Sequence, residues 1–225
     1  MKRSEINQIL EESIEFLNFH KFKLPPWAYY SPSDWTGKIE TSREIFTNML
    51  GWDITDFGSG DFASCGLILF TLRNGNLALD NKPYAEKILI SDKNQITPMH
   101  FHWNKMEDII NRGGGNMIIE LYGSTEKEEL SDEPVTVRID GVERTVQPGS
   151  KVILTPGESI CLTQGVYHKF YAEEAKVLLG EVSMVNDDSN DNRFYEPAGR
   201  FPEIEEDVKP LHLLASDYSS FIRKQ

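Results

Sequence analysis

His100 and His102, with Glu107 five residues after the second, are the residues best placed to do chemistry. Side chains alternate faces along a β-strand, so histidines at i and i+2 point the same way and can reach one ion. Phe101 and Trp103 then pack on the opposite face. Glu107 has the wrong parity to join the histidines on an unbroken strand. The chain must bulge or turn between Asn104 and Met106 to aim it back. A fourth ligand has to come from elsewhere among the five histidines, His20, His100, His102, His168 and His212. His168 is the natural candidate, because it opens the strand-like run His168-Lys169-Phe170-Tyr171, with His20 and His212 as fallbacks. Imidazoles and a carboxylate with no nearby thiolate suit a divalent ion such as Mn²⁺, Fe²⁺, Co²⁺, Ni²⁺ or Zn²⁺. A lone H-x-H is a weak motif, so the downstream match matters.

The elements that would position these residues are short strands. Gly66–Leu72, Lys87–Ile90, a histidine strand from about Thr97, Asn116–Tyr122, Lys151–Leu154, Ser159–Leu162 and Lys176–Ser183 all read as β. Asn74-Gly75 signals a hairpin returning through Leu77-Ala78-Leu79. Asp140-Gly141 signals another, between Val135–Ile139 and Val142–Val146. Gly113-Gly114-Gly115 lacks the Lys-Ser/Thr of a phosphate loop and reads as a strand corner. Many short strands with glycine turns predict a jelly-roll barrel. Before it, residues 4–19 carry a helical apolar stripe (Ile6, Ile9, Leu10, Ile14, Leu17). The aromatic, proline-rich stretch from Lys23 to Ser33 cannot be a helix interior and is read as an extended arm lying across a surface. Thr41-Ser42-Arg43-Glu44 opens a short helix ending near Leu50. After Val185 comes the polar run 186–192, read as a solvated loop. The aromatic segment 193–202 is read as a flap docking back on the barrel. The expected organisation is an N-terminal helical extension and arm over 1–60, a β-barrel over 61–185 and a C-terminal segment over 186–225.

At 225 residues, with 39% hydrophobic and 26% charged side chains, the chain fits one large domain with extensions. A net charge of −13 argues against nucleic acid and anionic membrane as partners. No run approaches a membrane span in length. Met1–Glu5 has basic residues but no apolar stretch behind it, so no secretory leader is expected. Cys65 and Cys161 read as free thiols of a cytoplasmic protein.

The two halves of the metal pattern resemble the cupin family. Its first motif, G-x5-H-x-H-x3,4-E-x6-G, is met by His100, His102, Glu107 and Gly114, with Asn94 at the opening glycine. Asparagine also tolerates left-handed backbone. Its second, G-x5-P-x-G-x2-H-x3-N, is met by Gly157, Gly165 and His168, with Thr163 and Ala172 at the proline and asparagine. Within cupins, most of the chain resembles the D-lyxose ketol-isomerase family. The likeness includes the Pro25-Pro26-Trp27 arm, the string His100 to Asp108, the stretch Val185 to Phe194 and the tail Arg200 to Asp207. The resemblance implies an all-β cupin with N-terminal helices and a C-terminal flap. It implies an aldose–ketose isomerase interconverting D-lyxose with D-xylulose and D-mannose with D-fructose, with Mn²⁺ favoured, and a homodimer.

Such chemistry needs a proton carrier near the ion, moving a proton between C2 and C1 through an enediol; a hydride shift is the competing route. Glu196 and Arg200 flank a Pro-Ala-Gly turn and could form a carboxylate held by a guanidinium. Glu120 faces either solvent or the barrel lumen. Lys105, between the ligands, could stabilise enediolate charge, and Lys87 is a weaker candidate to contact substrate. Glu181 lies on a strand of undetermined facing. A metal-dependent dioxygenase and a non-catalytic sugar-binding cupin are the alternative functions.

Overall fold

A computed structural model describes residues 1–188 and 190–223. Ser189, inside the polar run, lies outside the described residues. The described residues fold as helix α1 (Arg3–Phe19), helix α2 (Arg43–Thr47), eleven strands and a short helix α3 (Tyr218–Ile222). The strands are β1 (Gly51–Thr55), β2 (Leu67–Arg73), β3 (Tyr84–Ser91), β4 (Ile96–Phe101), β5 (Glu107–Tyr122), β6 (Val135–Ile139), β7 (Val142–Val146), β8 (Ser150–Leu154), β9 (Ser159–Leu162), β10 (Tyr167–Met184) and β11 (Arg193–Phe194).

Two long strands organise the barrel. The first half of β5 pairs with β9 and its second half with β8. The antiparallel β10 pairs along β5, while its own halves pair with β4 and then β3. One layer therefore runs β1-β2-β3-β10-β5-β9-β6-β7, and the other β11-β4-β10-β5-β8. The chain bends from one layer to the other where the β5–β10 register breaks, between Glu173 and Val177. Gly113 and Gly114, at φ 147° and 91°, lie opposite that break. The triple glycine thus bends a strand without ending it, because a side chain at Gly114 would strike the Lys176 carbonyl.

Leu89, Ile109, Ile119, Leu121, Phe170 and Leu179 fill the space between the layers. A second cluster covers the outside of β1–β3, where Ile6, Leu10 and Leu17 of α1 meet Ile54, Ile68, Ile88 and Ile90. Strand β3 is buried on both faces, hence its unbroken Ile88-Leu89-Ile90. Each of the three α1 side chains contributes roughly 1.5–3 kcal/mol by burial.

Three sequence expectations need correction. The arm is not extended throughout but winds through short 3₁₀ turns at Pro26–Tyr29 and Pro32–Trp35. Strand β1 lies within the segment expected to be helix and arm. All five of its residues are buried, so it shows no alternation to read. Leu77 and Leu79 do not return the first hairpin; both are exposed, in a loop closed by the Asn76 N–H donating to Asp80 at 3.2 Å. The Asp140-Gly141 hairpin forms as expected, both residues having positive φ.

Candidate metal centre

The chemistry-bearing residues line one cavity between the layers, of about 100 Å³. His100 and His168 face each other in register across β4 and β10. His100, His102 and His168 are all buried, and one ring nitrogen of each lies within 4.8 Å of the other two. Each Nδ1 meets a backbone carbonyl: Pro98 at 2.7 Å, Asp191 at 2.8 Å and Val166 at 3.0 Å. A carbonyl can only accept, so each Nδ1 carries a hydrogen and Nε2 is left as the free ring position. Burial holds His100 well below the ordinary imidazole range and His102 below it, so both rings are neutral near pH 7.

Glu107 Oε1 stands 3.3 Å from His102 Nε2 and 3.2 Å from His168 Nε2. For His102 this sets a nitrogen lone pair against a carboxylate oxygen, an arrangement that repels unless a cation sits among them. Imidazole nitrogens, each ring fixed by a hydrogen bond at its other nitrogen, with one carboxylate, match the donor set of a first-row divalent ion. The three-histidine group can bind a metal ion, and Glu107 adjoins it.

The parity problem of Glu107 is solved as the sequence requires. Strand β4 ends at Phe101, the chain turns, and β5 starts at Glu107. Buried Asp191 holds the turn: its carboxylate accepts the Asn104 N–H at 2.7 Å and the Lys105 N–H at 2.8 Å. The backbone carbonyl of the same residue accepts from His102. Asp191 lies in the run expected to be a solvated loop; its partners are 86 to 89 residues away, so no local signal marks it.

A ladder of charge runs along the wall. Lys105 Nζ lies 2.7 Å from Glu107 Oε2 and 2.9 Å from Glu181 Oε1; Lys87 Nζ lies 3.2 Å from Glu181 and 2.5 Å from Asn186 Oδ1. Burial opposes every one of these charges. For Glu107 it is outweighed by Lys105, and for Glu181 by Lys105 and Lys87, so both carboxyls stay below their ordinary range. Lys105 is held above its range by the two glutamates despite burial. At Lys87 burial wins, and the ammonium is pushed down to about 8.

Of the expected residues, the cavity brings together His100, His102, Glu107, His168, Lys105, Lys87 and Arg200. Glu196 and Glu120 are not among its lining. Glu196 is exposed on the outer side of the flap, whose inward contact is the ring of Phe194, 5.3 Å from that of His100. Glu120 pairs with Lys169, its cross-strand neighbour, at 2.8 Å. Glu181 faces inward. The fallback histidines lie elsewhere: His212 bonds the Tyr30 carbonyl, and His20 packs against Phe16 and Phe19. Two wall residues had no sequence signal, Asp53 on β1 and Thr97 on β4. The buried Thr97 hydroxyl has no hydrogen-bond partner among the described residues.

The family model for D-lyxose isomerase matches residues 1–218. The chain belongs to the D-lyxose isomerase family. It is accordingly an enzyme of the aldose–ketose isomerase class. A "D-lyxose/D-mannose isomerase" of Serratia proteamaculans is 51% identical over 99% of this chain and 100% of its own. One from Escherichia coli O157:H7 is 48% identical over 98% and 100%. Among solved structures, L-ribose isomerase from Geodermatophilus obscurus superposes with a TM-score of 0.60 at 16% identity, over 91% of this chain and 98% of that one. L-ribose isomerase from Cellulomonas parahominis, solved with L-ribose, gives 0.58 at 15%, over 91% and 98%. At such identity the likeness shows the fold, which is the cupin barrel of these sugar isomerases. No described helix is long and apolar enough to cross a membrane.

Proposed function

We propose that this family member is a divalent-metal-dependent isomerase that interconverts D-lyxose with D-xylulose and D-mannose with D-fructose, Mn²⁺ being the favoured ion. Its ligands are His100, His102, Glu107 and His168. The observation that carries the reading is the buried convergence of three imidazoles on a carboxylate inside one cavity. The substrates follow from the names of the full-length relatives.

A bound ion supplies Lewis acidity, polarising the sugar carbonyl and acidifying the neighbouring hydroxyl. The protein's own groups do the rest. Glu181, kept ionised by two lysines, takes the C2 proton and returns it to C1 through an enediol. Lys105 stabilises the negative charge that develops on the sugar oxygens. Lys87 and Thr97 offer hydrogen bonds to substrate hydroxyls. Arg200 and Phe194 bring the flap over the cavity and limit access of water. Neither Glu120 nor Glu196 is retained as proton carrier, because neither lines the cavity. The same reading takes the protein as a cytoplasmic homodimer, supported by two free cysteines and the exposed apolar Tyr84, Val182 and Met184 on adjoining strands.

The test is to strip the protein with EDTA, reload it with Mn²⁺ and assay ketose formation from D-lyxose and D-mannose. Loss and recovery of activity are expected, and Glu181→Gln should keep its metal while losing on the order of 10²-fold or more in kcat. Full turnover in protein shown metal-free by elemental analysis would sink the metal reading. Absence of ketose from every pentose and hexose tried would sink the isomerase reading.

A further inference from the structure

One buried carboxyl in the cavity wall has no part in the chemistry above. Asp53 is only 2% exposed. Its Oδ1 accepts the N–H of Ile54, the next residue, at 3.0 Å. The nearest cation is the Arg200 guanidinium, 3.6 Å from Oδ2, beyond good hydrogen-bond length. That guanidinium is hydrogen-bonded instead to Asp188. Asp53 is thus a desolvated acid on the cavity wall whose second oxygen, among the described residues, has only a distant cationic partner. Burial, opposed by Arg200, pushes it up to about 7. Of the four carboxyls on the wall, Glu107 and Glu181 are paired to Lys105 and Asp188 to Arg200, so Asp53 is the one with no cation at hydrogen-bond distance.

The reaction leaves one step without a group to perform it. Aldoses in water are closed hemiacetals, and proton transfer between C2 and C1 requires the open chain. Opening removes the proton from O1 and adds one to the ring oxygen.

We propose that Asp53 opens and closes the sugar ring, acting as a bifunctional acid–base on the hemiacetal. Its O–H donates to the ring oxygen while its carbonyl oxygen accepts the O1 proton. The C1–ring-oxygen bond breaks with its electron pair going to the ring oxygen, and the O1–H pair forms the C1=O1 double bond. The carboxyl gains one proton and loses one, so no co-reactant is needed. Arg200, at its longer distance, orients the carboxyl without fixing it as a permanent anion. This assignment rests on a sugar occupying the proposed cavity, but not on the ion or on isomerisation.

The separation makes the test clean. Ring opening and closing interconvert anomers, so the metal-free protein should accelerate the mutarotation of freshly dissolved α-D-mannose, followed by polarimetry. Asp53→Asn should lose at least tenfold of that acceleration while still folded by circular dichroism, and Asp53→Glu should keep part of it. In the Mn²⁺-loaded enzyme, C2-deuterated D-mannose should show a primary isotope effect on turnover. That effect should collapse toward unity in Asp53→Asn, because ring opening becomes the slow step. A merely structural role would leave the isotope effect in place. A wild-type protein with no mutarotase activity overturns the inference, as does a folded Asp53→Asn protein with wild-type mutarotation or an undiminished isotope effect. If mutarotation needs Asp53 but no ketose forms with any metal, the isomerase reading falls and this assignment stands.

Discussion

At the scale of single residues, the site depends on groups that stand behind the metal-binding side chains. Asp191 joins the turn before Glu107 to the ring of His102. Asp191→Asn keeps its shape but turns one acceptor into a donor facing a backbone N–H, leaving that N–H unsatisfied at about 1–3 kcal/mol. Because partners of metal-ligating groups orient them, metal affinity should fall 10–100-fold, measurable by titration calorimetry with Mn²⁺. Unchanged affinity would mean that the turn is held by other contacts. Asp53 gives a pH signature. Its folded-state pKa of about 7 lies above the unfolded value near 3.9, so the native state binds the extra proton between them. The stability contributed by that proton is complete below about pH 4 and is lost as pH rises through about 7. Asp53→Asn removes this dependence. Thermal melts from about pH 4 to about pH 8 should show the midpoint difference moving steadily in the variant's favour; a constant difference would mean that Asp53 is ionised throughout.

At the scale of elements, the flap meets the barrel backbone to backbone. A Cβ on Gly58, whose φ is +74°, would stand 2.9 Å from the Gly199 Cα, and the Gly199 N–H donates to the Phe57 carbonyl at 2.8 Å. Gly58→Ala should therefore lift the flap. The expected outcome is a raised KM, a midpoint lower by the equivalent of about 1–3 kcal/mol, and faster proteolytic nicking within 193–202. Wild-type KM and nicking would show that the flap does not depend on this contact. The strands carrying His100 and His168, with His102 just past the end of the first, were legible because alternation and glycine punctuation are local signals. Asn94 confirms the point, adopting φ 62° where the cupin pattern has glycine. Strand β1 was not legible, since burial on both faces erases alternation and Asp53 interrupts its apolar run. Asp191 and Glu196 were misjudged for one reason. Facing is decided by contacts with distant segments, and a polar or ring-flanked string does not record them.

At the scale of the molecule, the two ends of the chain are tied together. Arg3, 1% exposed, donates to Glu206 at 2.7 and 2.9 Å and to Asp217 at 2.8 and 3.1 Å. Arg3→Ala leaves two carboxylates facing each other without their cation. Glu206 is half exposed, so the cost belongs at the lower end for a broken buried pair. It should be on the order of 3 kcal/mol, a midpoint fall of roughly 6–12 °C. The kcat should be unchanged, because none of these groups lines the cavity; a matching fall in kcat would couple the N-terminus to the site.

The long strands β5 and β10 also govern how the protein is made. On a ribosome, β4 and β5 emerge well before β10, the strand that joins them into one barrel. At about 5–20 residues per second the nascent chain waits several seconds with open strand edges. Asp53 waits longer still for Arg200. The hairpin of β6 and β7 and the consecutive strands β1, β2 and β3 can pair early, from neighbours in sequence. Vulnerability to misassembly is thus concentrated during synthesis and ends with the arrival of one eighteen-residue strand.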